Sequence, residues 1–107
     1  MAAAATAACS DDLCGNDNVR SFRSTDGART AYLFRRACGA TTDFSTHVSL
    51  VAAGRALPNG AGNVLSVGGE QPVELVWMNS TTLRVTGFRE PVYLRASTVD
   101  SISVQYQ

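Results

Sequence analysis

Apolar residues recur at every second position in run after run of this chain. Val73, Leu75 and Trp77 alternate with Glu74, Val76 and Met78, and Ile102, Val104 and Tyr106 interleave with Ser101, Ser103 and Gln105. Val48 and Leu50 stand opposite His47, Ser49 and Val51. Side chains two apart share one face of a strand, so each run predicts a strand with one buried side. In the run 28–37, Thr30, Tyr32 and Phe34 fall on one side and Arg29, Leu33 and Arg35 on the other. Shorter extended runs are expected over 19–23, 63–67, 83–87 and 91–95. No segment keeps an i, i+3, i+4 apolar spacing for the roughly ten residues a helix needs.

Turn chemistry punctuates these runs. Ser24–Gly27 reads S-T-D-G, and Asp-Gly between two β-prone runs predicts a two-residue hairpin turn. Pro58-Asn59-Gly60 marks 54–62 as a loop, N-S-T-T at 79–82 as a turn, and Phe88–Pro91 as an edge or turn, because proline donates no ladder hydrogen bond. Six to eight short strands are therefore predicted over residues 14–107, an all-β fold built as an antiparallel sandwich or a partly open barrel. Trp77 belongs to its core, on the face of Val73 and Leu75.

Composition narrows the function classes. A chain of 107 residues fits one domain. Its formal charge is zero and all nine basic residues are arginine, with no cluster beyond Arg35-Arg36. Nucleic-acid binders neutralise several phosphates with grouped cations, so that class is set aside. No window approaches the ~20 apolar residues of a membrane-spanning helix. The start, M-A-A-A-A-T-A-A-C, is nearly monotonous up to Cys9. It resembles the end of a bacterial lipoprotein signal peptide, in which the cysteine receives lipid after cleavage. A late start or a shortened chain accounts for the missing charged and long apolar regions. The other reading of residues 1–13 is a disordered alanine-rich tail.

Chemistry concentrates between Arg35 and Leu50, R-R-A-C-G-A-T-T-D-F-S-T-H-V-S-L. Cys38, His47 and Asp43 supply the residue types of a cysteine-nucleophile triad. No helix is predicted to start at Cys38 and lower its pKa, and His47 is expected on a solvated strand face. The spacing points elsewhere: Cys14 lies twelve positions before Asp26 and Cys38 eleven positions after Gly27. In a hairpin turning at Asp26-Gly27 the two thiols meet at its open end, so a Cys14–Cys38 disulfide is expected, which suits an oxidising compartment. Gly39, Thr41, Thr42, Asp43, Phe44, Ser45 and Thr46 then form a candidate recognition loop. Its short polar side chains hold the backbone, and Phe44 is expected to anchor it by burial. The single histidine and the cysteine spacing match no zinc site, and the glycine pairs lack a phosphate-loop context. No cofactor is expected.

The order S-T-D-G, C-G-A-T-T-D-F-S-T before a strand, G-N-V at 62–64, the strand V-E-L-V-W at 73–77 and a closing V-x-Y resembles a family of small, uncharacterised bacterial envelope proteins. Its signature runs C-G-A-T-T-x-F-S-T, and its members often carry lipoprotein-type starts. Asp43 stands where that family often has glycine, and His47 where it has glutamine. The resemblance implies the periplasm or cell envelope, with a possible membrane tether through a lipid on Cys9, and names no activity. The function expected is a non-enzymatic, envelope-associated binding protein of unknown partner, a protein or another envelope component. The alternatives are a small thiol-dependent hydrolase using Cys38 and His47, or an inhibitor or immunity-type protein.

Overall fold

The computed structural model describes residues 14–39 and 43–107. The readings of residues 1–13 and Cys9, and those of Thr41 and Thr42, lie outside the described residues. Strands are β1 (Gly15–Arg23), β2 (Arg29–Ala37), β3 (Ser45–Ala52), β4 (Leu65–Gly68), β5 (Glu74–Asn79), β6 (Thr82–Thr86), β7 (Val92–Arg95), β8 (Thr98–Val99) and β9 (Ile102–Tyr106). Among the described residues they make two sheets, ordered β1-β2-β3-β4-β7 and β5-β6-β9-β8. The protein is all-β. Its sheets stay open instead of closing on one another, so of the two expected architectures the sandwich is the one adopted.

The alternation read from the sequence decides what fills the space between the sheets. Ala31, Leu33, Val48, Leu50, Leu65 and Val67 come from the first sheet, and Leu75, Leu83, Val85, Ile102 and Val104 from the second. On β5 the opposite parity leaves Val76 and Met78 in solvent. Trp77 is half-buried against the core, and its Nε1–H donates to the Phe22 carbonyl at 2.9 Å, tying β5 to β1. At the other side, the Tyr106 hydroxyl donates to the Ala96 carbonyl at 2.6 Å, and burial pushes its pKa up to about 12.

Two connections differ from the expectation. The β1–β2 turn is not a two-residue Asp-Gly turn. Arg23 pairs with Thr30, and Ser24 N–H donates to the Arg29 carbonyl, leaving Thr25 to Ala28 as the loop. The Asp26 carboxylate accepts from Ser24 Oγ at 2.7 Å and from Ala28 N–H at 3.0 Å, which stabilises this longer turn over the tight one. The tight turn occurs instead at Asp100-Ser101, with φ of 50° and 69° between the paired Val99 and Ile102. Positive φ at both central positions is the type I′ geometry, and here no glycine announces it. The ladders are antiparallel except β6–β9, which is parallel. Between those two strands the chain leaves for the first sheet as β7 and returns through β8, so β9 enters alongside β6 from the same end.

The outer face of β2 and β3 is also covered. Residues 53–63 fold back over it. The Asn63 side chain accepts from Leu50 N–H at 2.8 Å and donates to the Leu50 carbonyl at 3.0 Å. Further along the same cover, Asn16 reaches the Pro58 and Gly60 carbonyls, and Arg36 donates to the Asn59 side chain. Phe34 is thereby 2% exposed although it lies outside the main core cluster. Gly62 is required at the crossing, since a Cβ there would lie 2.5 Å from the Val48 carbonyl oxygen.

Candidate recognition site

The loop proposed for recognition begins at a fixed point. Cys14 and Cys38 are joined by a disulfide at the open end of the β1–β2 hairpin. The one-residue mismatch in their spacing has a physical resolution. Arg20 pairs with Leu33 and Asp17 with Arg35, so β1 carries one extra residue between them, a bulge in which Asn18 has φ of 51°. Past the bulge the register shifts by one, and Gly15 faces Ala37.

His47 is not the solvated side chain expected. It is 4% exposed, stacked on Phe34 with ring centroids 5.4 Å apart under the 53–63 cover. Its Nδ1 accepts a hydrogen bond from Gly62 N–H at 3.0 Å. A neutral imidazole that accepts at one nitrogen carries its proton on the other, so Nε2–H donates to Ser45 Oγ, 2.7 Å away. Desolvation first, and the nearby Arg36 charge second, push the His47 pKa down to about 4. In a nucleophile–base pair the histidine accepts the hydroxyl or thiol proton at that nitrogen. Here Nε2 holds its own proton toward Ser45, and the Cys38 sulfur is bound to Cys14.

Phe44 also departs from expectation. It is 40% exposed, not buried, and the Arg35 guanidinium lies 4.1 Å from its ring centroid. Arg35 closes the inner row Ala31–Leu33–Arg35 of β2 at the mouth of the sandwich. It donates to both Asp17 oxygens, at 2.8 and 3.0 Å, which holds that carboxyl below its usual range, and stands 3.6 Å from Glu70. A charged residue at this position cannot enter the core, and the half-exposed ring of Phe44 packs on its flat face.

Where β3 meets the end of β4, Asp43, Phe44 and Ser45 face Pro91 and Tyr93 across a groove of about 600 Å³ floored by Gly68 and Gly69, with Glu70 at one end. Its base is held by hydrogen bonds. Gly69 N–H donates to the Phe44 carbonyl at 2.8 Å and Gly68 N–H to the Pro91 carbonyl at 3.0 Å. Buried Thr46 donates to the Gly69 carbonyl at 2.7 Å and accepts from Gln71 N–H at 3.0 Å. The Gln71 amide bridges the remaining gap, donating to the Gly68 and Arg89 carbonyls and accepting from Arg89 N–H. Tyr93, 67% exposed, is the extra residue of a bulge where Ser66 pairs with Leu94 but Val67 with Val92. The bulge turns the ring across Gly68, whose missing side chain leaves the room: a Cβ there would lie 2.7 Å from the Tyr93 hydroxyl and from Pro91 Cγ.

Of the predicted loop residues, Asp43, Phe44 and Ser45 line the groove, and Thr46 supports it from beneath. Gly39, next to the disulfide, does not line it. Gln71, Gly68, Pro91 and Tyr93 escaped the sequence reading. The one signal available was G-G-E-Q-P after a strand, a glycine turn followed by an amide. The chain matches no family model, no curated protein and no solved structure.

Proposed function

We propose that this protein is a non-enzymatic binding module of the bacterial cell envelope that holds a partner in the groove between Phe44 and Tyr93. The observation that carries this reading is the pair of exposed aromatics flanking a glycine floor whose backbone is pinned by Thr46 and Gln71. Aromatic side chains dominate binding hot spots, and a prearranged floor lowers the ordering cost of association. The disulfide and the lipoprotein-like start support an oxidising compartment and a lipid tether on Cys9. The C-G-A-T-T-x-F-S-T resemblance supports the same placement. An inhibitor or immunity-type role would use the same groove and differ only in the partner. The thiol-hydrolase alternative finds no support in the Cys38 and His47 geometry.

The test is capture from a detergent extract of the host's envelope on immobilised protein, comparing the parent with Phe44→Ala/Tyr93→Ala. The parent is expected to retain a discrete partner that the variant loses while it still unfolds in one cooperative transition. Identical capture by both would refute the assignment of the groove. Native protein labelled metabolically with a fatty-acid analogue should carry the label at Cys9; an unlabelled Cys9 removes the tether from the proposal.

A further inference from the structure

We infer that the groove takes an arginine side chain presented by an extended segment of a partner protein; this rests on the binding reading above and names its partner's chemistry. The walls are Phe44, Pro91 and Tyr93, and among the described residues the charged side chains lining the groove are Asp43 and Glu70. Both carboxylates are solvent-facing. The neighbouring cation, Arg35, is shared between both oxygens of Asp17 and Glu70 at 3.6 Å and is stacked on Phe44; it does not line the groove, and with Asp43 the carboxylates here outnumber it three to one. A purely apolar segment would strip Asp43 and Glu70 of hydration with only the shared Arg35 to compensate, and an acidic segment would be repelled. A basic one is complementary to both the walls and the rim.

Arginine fits better than lysine. Its planar guanidinium stacks on aromatic faces and engages a carboxylate through two parallel donors, whereas an ammonium is a compact, strongly hydrated charge. The molecule shows the first of these contacts within itself, where Arg35 packs on Phe44. The aliphatic stem of an incoming arginine would lie over Gly69, where nothing stands within 4 Å of the place a Cβ would take.

The experiment is a titration of the full chain, ¹⁵N-labelled, with three blocked heptapeptides of sequence Gly-Ser-Ala-X-Ala-Ser-Gly, in which X is arginine, norleucine or glutamate. The arginine peptide should shift the amides of Phe44, Gly68, Gly69, Glu70 and Tyr93. It should bind at least tenfold more tightly than the norleucine peptide, and the glutamate peptide should leave those amides in place. Asp43→Asn/Glu70→Gln should abolish the preference for arginine without changing the melting temperature. Equal binding of the arginine and norleucine peptides, or arginine-induced shifts outside the groove, would overturn the inference while leaving the binding function intact. The same holds if no peptide binds but the envelope capture still depends on Phe44 and Tyr93. If the capture is also indifferent to them, both readings fall together.

Discussion

His47 makes the fold sensitive to acid in a window where few other groups titrate. It is neutral under the 53–63 cover, with a pKa near 4 against an ordinary value of 6.5. Between those values the unfolded chain binds a proton that the folded chain refuses, so stability falls as pH drops from about 6.5 to 4 and levels off below. At 1.36 kcal/mol per pH unit the full loss is at most about 3 kcal/mol, which for a domain of this size lowers the melting temperature by roughly 10–20 °C. His47→Gln keeps a donor and an acceptor but does not titrate. Calorimetric melts of parent and variant at pH 7, 6, 5 and 4 should show the parent losing stability steeply and the variant staying nearly flat over the same range. Parallel curves for the two proteins would refute the buried, neutral assignment and return His47 to the solvated face its sequence position implied.

Three further outcomes are expected. Phe34→Ala empties a fully buried site and should cost about 3–5 kcal/mol in urea unfolding, whereas Phe44→Ala removes a half-exposed ring and should cost about 1 kcal/mol or less. Asn63→Ala breaks both bonds that pin the cover to Leu50 and should cost about 2 kcal/mol, with faster amide exchange at Gly62. Opening the Cys14–Cys38 disulfide, which closes a sequence separation of 24 residues, should lower stability by about 3 kcal/mol. Intact-mass alkylation with and without reductant reports the bond, and melts under the same conditions report its contribution.

What was legible in the sequence was mostly periodicity. Alternation put Val73 and Leu75 inside and Val76 and Met78 outside, and it sorted β2 and β3 onto two faces correctly. It misled at His47 because period two distinguishes faces, not whether a face is wet. The outer face of β3 carries His47 and Ser49, polar residues that the 53–63 cover satisfies with Gly62 and Asn63. A long-range cover of this kind leaves no local mark. The disulfide was legible because hairpin spacing is nearly symmetric, although the bulge at Asn18 that completes the match was not. Phe44 looked like an anchor as the one large side chain of its loop, but the neighbouring Arg35 occupies the mouth of the sandwich and keeps the ring at the surface. The groove itself depends on Gly68 pairing with Ser45 and on a bulge at Tyr93, and strand register joins those residues where sequence distance separates them.

The groove is tested most directly by photo-crosslinking in living cells. A benzophenone amino acid placed at Tyr93 in one strain and at Val76, on the outer face of the second sheet, in another should give different outcomes on irradiation. The account predicts a discrete, higher-mass adduct at position 93 and none at 76. Adducts of equal yield at both positions, or none at 93, would contradict it.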